Sequence, residues 1–187
     1  MNTRWLSLAL VAASLSPLGA QAQQALIPAQ SEVAFTSRQM GVPVDGKFKT
    51  FSAQVAFDPA KLATSQIAFT VDTGSADISR EANAELPKAT WFNVAAFPKA
   101  TFTSSSIKRL DANKFEVTGK LSIKGVSSDV VMPVTLAQNG ATTTATGAFP
   151  IKRLTFRIGE KEWADTSMVA DEVQVKFKIA LTGVNKL

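Results

Sequence analysis

Phe115-Glu116-Val117-Thr118-Gly119-Lys120-Leu121-Ser122-Ile123 decides the fold class. Phe115, Val117, Gly119, Leu121 and Ile123 alternate with Glu116, Thr118, Lys120 and Ser122. A period of two sends successive side chains to opposite faces of an extended chain. The stretch therefore reads as a strand with one dry and one wet face. Gly119 inside the run marks a bulge or a close approach of backbones.

The same alternation recurs on both sides. Upstream, Phe51, Ala53, Val55 and Phe57 oppose Ser52, Gln54, Ala56 and Asp58, and Ile67, Phe69 and Val71 oppose Gln66, Ala68 and Thr70. Val33 and Phe35 start another run, with shorter ones at Val44 to Phe48 and Ala100 to Ile107. Downstream lie Val130, Met132, Val134 and Leu136, then Thr142 to Phe149, then Val173, Val175, Phe177, Ile179 and Leu181. Turn signals separate the runs at Asp45-Gly46, Asp58-Pro59, Asp111-Ala112-Asn113, Lys124-Gly125 and Asn139-Gly140.

One stretch departs from the pattern. Ala76 to Leu86 tolerates a helix, with Asp77 placed as its N-cap and Pro87 ending it. Glu81 and Glu85 read as a solvated helix face rather than as paired catalytic carboxylates. Thr90 to Pro98 then carries Trp91, Phe92 and Phe97, rings that must face a core or a ligand. Eight or nine strands, one short helix and one core imply a closed antiparallel barrel or a sandwich. Strand length favours the barrel, since nine residues at about 3.3 Å each span roughly 30 Å.

Composition excludes whole classes of chemistry. The 187 residues include no histidine, cysteine or tyrosine. Histidine-based triads, thiolate nucleophiles, disulfides and thiolate-held metals are therefore absent. Binding needs only a shaped apolar cavity, and 12 Phe, 3 Trp and 4 Met are available to line one. At the N-terminus, Arg4, the apolar run Trp5 to Ala13 and Ala20-Gln21-Ala22 read as an export signal cleaved after Ala22. The run is too short for a membrane span. Residues 23–187 are then expected as one barrel domain in the periplasm. Arg4 is the one charged residue of the leader, so the rest keeps nearly all of the net +5. Those charges are scattered, which argues against a nucleic-acid partner.

Four blocks together resemble the YceI-like family. They are Ser31-Glu32-Val33-Ala34-Phe35-Thr36-Ser37-Arg38-Gln39-Met40-Gly41-Val42 with Gly46-Lys47-Phe48; Trp91-Phe92-Asn93-Val94 with Phe97-Pro98-Lys99-Ala100-Thr101-Phe102; Phe115 to Val126; and Arg153, Phe156, Ile158, Gly159 and Trp163 with Asp171-Glu172-Val173. The resemblance implies an all-β fold, an extended eight-stranded antiparallel lipocalin-like barrel with a short helical excursion near residues 76–90. It also implies a tunnel for a long-chain isoprenoid, a quinone or a similar lipid, with no cofactor and no catalytic centre. Phe35, Met40, Phe69, Trp91, Phe92, Phe97 and Phe102 are then the expected tunnel residues. Arg38, Gln39, Arg80, Arg153 and Arg157 are expected at the mouth, where guanidinium groups would meet a phosphate or carbonyl headgroup. Gln39 stands where the family usually has histidine, and Arg80-Glu81-Ala82-Asn83 lacks a second usual histidine. The expected function is a carrier or scavenger of such a lipid, with peripheral membrane contact and a homodimer among the open assembly states. The alternative is a packed interaction module of a membrane redox or stress system. A histidine-independent hydrolase or isomerase ranks last.

Overall fold

The computed structural model describes residues 24–187; the export signal expected at residues 1–22 lies outside them. The alternating runs become eleven strands: β1 (Ala25–Leu26), β2 (Glu32–Gln39), β3 (Val42–Phe48), β4 (Phe51–Ala56), β5 (Gln66–Asp72), β6 (Ala76–Asp77), β7 (Lys99–Arg109), β8 (Lys114–Ile123), β9 (Val126–Asn139), β10 (Thr142–Lys152) and β11 (Glu172–Thr182). They form one antiparallel sheet in the order β4-β5-β7-β8-β9-β10-β11-β2-β3-β6, with β1 added beside β11. The eight strands expected are thus nine of six residues or more, plus the two-residue β1 and β6.

The sheet curls around one interior as a lipocalin-like half-barrel. Its edges are tied together rather than paired. At one end β3 runs into β4 across two residues, and Lys49 N–H donates to Ser75 O at 3.1 Å. At the other, β1 pairs with β11 while the Gln24 amide clasps Phe57. Gln24 Nε2 donates to Phe57 O at 2.6 Å, and Phe57 N–H donates back to Gln24 Oε1 at 3.0 Å. The pairing of β9 with β10 stops at Val134–Gly147. Pro133, which has no N–H to give a ladder, follows at that point and faces outward. Beyond it the wall is completed by Phe156, Ile158, Trp91 and Phe92, which pack as a second core cluster.

Two local readings need correction. Asp45-Gly46 is not a turn but the middle of β3, where a Cβ on Gly46 would lie 2.4 Å from Phe35 Cζ. The glycine makes room for a ring; the turn falls at Met40-Gly41, both at positive φ (48° and 79°). The helix, α1, is Arg80–Glu85, and its N-cap is Ser79, whose Oγ accepts from Ala82 N–H at 3.2 Å. Asp77 instead pairs with Lys49 (3.0 Å) and accepts from Asn83 Nδ2 at 2.8 Å. Gly119 is a close approach: a Cβ there would sit 2.4 Å from Thr103 O, opposite the register shift between Ser104 and Ser106.

Candidate functional site

Inward-facing residues of the strands enclose two chambers. The inner one, of about 180 Å³, is walled by apolar side chains such as Phe69, Phe102, Phe115 and Phe149, with Thr101 and Thr143 as its polar exceptions. The outer one, of about 510 Å³, lies between β2, α1, the Trp91–Phe92 segment and the loop carrying Trp163 and Met168. Val33, Val71, Ala100, Leu121, Phe149 and Val175 border both, so the chambers adjoin. Along β10 the lining runs from Thr143 in the inner chamber to Ile151 in the outer. Those eight steps cover about 26 Å of strand, or about 20 Å along a barrel axis at the usual tilt.

The expected tunnel residues divide. Phe69 and Phe102 border the inner chamber, and Phe35, Trp91 and Phe92 the outer. Phe35 and Phe92 both lean on Phe48, with ring centroids 5.3 and 6.0 Å away, and Trp91 stacks at a tilt on Trp163 at 5.5 Å. Met40 occupies the β2–β3 turn and is 73% exposed, and it borders the outer chamber at its rim. Phe97 borders neither chamber. Its half-exposed ring covers the Lys124-Gly125 turn, where a Cβ on Gly125 would meet Phe97 Cε1 at 2.9 Å.

The arginines correct the sequence reading more strongly. Arg38, Arg80 and Arg157 are exposed and border neither chamber. Arg38 Nη1 donates to Gly41 O (3.1 Å), tying down its own hairpin. Arg153 does reach the outer chamber, but it is 2% exposed and has no donor to offer. Its Nε donates to Ala170 O (3.0 Å), Nη1 to Ile158 O and Gly159 O (2.9 Å each), and Nη2 to Trp163 O (2.7 Å) and Val169 O (2.6 Å). Those bonds engage all five N–H groups of a guanidinium. Burial lowers its pKa, opposed by the charge of Asp171. Arg153 is a strut that hangs the 158–170 loop on the barrel.

Gln39 borders the outer chamber, as do Glu81 and Glu85, which keep the solvated face expected of them while standing at its rim. Alternation could have found part of this: Val33, Phe35, Ser37 and Gln39 share one face of β2, so Arg38 must point away. No such signal marks Lys124. It is buried, and its Nζ donates to Ala89 O (2.7 Å), Arg157 O (2.6 Å) and Glu160 Oε2 (2.9 Å). The bond from Lys124 holds the Glu160 carboxyl below its usual range. Among the described residues no cluster of histidine, cysteine or acidic side chains could hold a metal ion.

A curled antiparallel sheet wrapped around an apolar two-chambered interior defines a lipocalin-like barrel protein. More narrowly, residues 25–181 match the YceI-like domain, and the chain belongs to that family. Protein YceI of Salmonella arizonae is 34% identical over 96 residues, 51% of this chain and 50% of that protein. The chain thus spans about half the length of the curated relatives it matches. Among solved structures, BcnA of Burkholderia cenocepacia is 49% identical with a TM-score of 0.80, covering 83% of this chain and 98% of that one. A YceI protein of Campylobacter jejuni is 25% identical with a TM-score of 0.66, covering 73% and 83%. A polyisoprenoid binding domain from Saccharophagus degradans, implicated in plant cell wall breakdown, has a TM-score of 0.69 at 14% identity, covering 86% and 98%. At that identity the last likeness is one of fold.

Proposed function

We propose that the chain is a carrier or scavenger of a long-chain isoprenoid or another lipid amphiphile, acting in the periplasm after loss of residues 1–22. The tail lies in the inner chamber and the head in the outer. The observation that carries this reading is a pair of adjoining chambers with six wall residues in common, one chamber almost free of polar side chains. An open interior of this kind also disfavours the packed interaction module. Burial supplies the affinity. Each CH₂ removed from water contributes about 0.8 kcal/mol, so a five-carbon unit contributes about 3–4 kcal/mol before the cost of ordering and association. The outer volume lies within the ordinary range of ligand pockets. The name of the Saccharophagus domain supports the same ligand class by analogy. Met40, Val42 and Met168 are exposed beside the opening, and Met40 N–H donates to Met168 O at 2.9 Å. This apolar rim is where a lipid would enter from a membrane surface.

The test is organic extraction of protein purified from its native periplasm, followed by mass spectrometry. A long-chain amphiphile in near-stoichiometric amount is expected. Phe102→Ser and the half-buried Phe69→Ser should both lower the retained load. A folded protein with no extractable lipid, and with no binding of added polyprenol, would refute the carrier reading.

A further inference from the structure

The outer chamber has no cation with a free donor to offer an anion. Arg153 is the one cation among its lining residues, and all five of its N–H groups are held by backbone carbonyls. Lys124, the other buried cation, has its three donors engaged on Ala89, Arg157 and Glu160, and it does not border the chamber. The rim of the chamber does carry two carboxylates, Glu81, which is exposed, and Glu85, which is partly exposed. Glu85 is paired with Lys88, whose side chain lies outside the lining. Glu81 accepts from Ser79 Oγ at 3.1 Å and has no salt-bridge partner among the described residues. The other polar lining residues, Ser37, Gln39, Ser79, Trp91 and Trp163, carry uncharged hydroxyl, amide and indole N–H groups, and Trp91 Nε1 is buried without a partner.

From this arrangement we infer that the chamber selects an uncharged oxygen-bearing headgroup (a hydroxyl, carbonyl or ether) and discriminates against phosphate and carboxylate termini. The inference rests on the carrier reading and sharpens it. An anion taken from water into the chamber would pass carboxylates at the rim and find no cation with a free donor inside, and an unpaired charge there is strongly disfavoured. A neutral head loses far less hydration, and the Gln39 amide can both donate to it and accept from it.

The experiment compares three probes of similar tail length: a polyprenol, its monophosphate, and a hydrocarbon such as squalene as the headless control. Trp91 and Trp163 border the chamber, so tryptophan fluorescence reads binding directly. At low salt the native protein should bind the polyprenol about tenfold more tightly than the phosphate. Two independent variants follow. E81Q/E85Q should narrow the gap, and Gln39→Arg, which adds a cation to the lining, should shift preference toward the phosphate. Each affinity for a headed probe is read relative to the same variant's affinity for squalene, which separates a headgroup effect from a change in tail binding. Equal or tighter binding of the phosphate by the native protein overturns the inference, as does a gap that neither variant moves. If squalene binds and the two headed probes bind alike, the headgroup inference alone falls. If none of the three binds, the carrier reading falls and this inference with it.

Discussion

Replacing Arg153 by Met keeps the aliphatic volume and removes the guanidinium. Five carbonyls, those of Ile158, Gly159, Trp163, Val169 and Ala170, then lose their donor. A buried acceptor left without a partner costs about 1–3 kcal/mol. Arg153 borders the outer chamber, so water can enter and satisfy some of the five. Relief from desolvating a buried cation offsets part of the rest. If two or three carbonyls stay dry, the net loss is about 3–5 kcal/mol, a large share of the stability of an ordinary domain. Arg153→Lys keeps a charge but offers three N–H groups in place of five, so it should recover only part of the loss. The assay is urea unfolding followed by circular dichroism and by tryptophan fluorescence. In Arg153→Met the fluorescence signal, dominated near this loop by Trp91 and Trp163, should change at lower urea than the sheet signal. A variant within 1 kcal/mol of the native protein, with coincident transitions, would refute the strut and return Arg153 to the candidates for headgroup binding.

Gly119→Ala should destabilise the barrel by about 1–3 kcal/mol, since its Cβ would lie 2.4 Å from Thr103 O and 2.5 Å from the Phe102 ring. Adding Phe102→Leu should recover part of that loss, which denaturant titration of the double variant measures. The pH dependence of stability follows from three carboxylates held below their usual range: Asp77 by bonds from Lys49 and Asn83, Glu160 by Lys124, and Asp165 by the hydroxyl and backbone N–H of Ser167. A carboxyl whose folded pKa is depressed stabilises the fold above its unfolded pKa, and that contribution disappears as pH falls through the folded value. With no histidine in the chain, Tm should be flat from pH 5.5 to 7.5 and decline below about pH 4.5. A shift of several degrees within the flat window would show a strongly perturbed group that this account omits.

Alternation in the sequence was enough to locate most of the long strands and the inward face of those that alternate strictly. Period-two alternation is local, so Phe115 to Ile123, Val130 to Leu136 and Val173 to Leu181 all fall inside the observed strands. It also placed Phe35, Phe69 and Phe102 indoors, because each sits in phase with apolar neighbours two residues away. Direction was not legible where that period lapses. Phe97 lies in an irregular segment, and only the approach of the Lys124-Gly125 turn decided that its ring packs outside the chambers. Six residues of α1 are too few for a helical period to say which side docks, so it took the tertiary fold to bring the solvent-facing Glu81 and Glu85 to the rim of the outer chamber. Arg153 shows the reason most directly. Nothing within four residues of it reveals whether it meets solvent, a carboxylate or a ligand. Its role was decided by five carbonyls from residues 158–170, which become neighbours only when the loop folds back over the barrel.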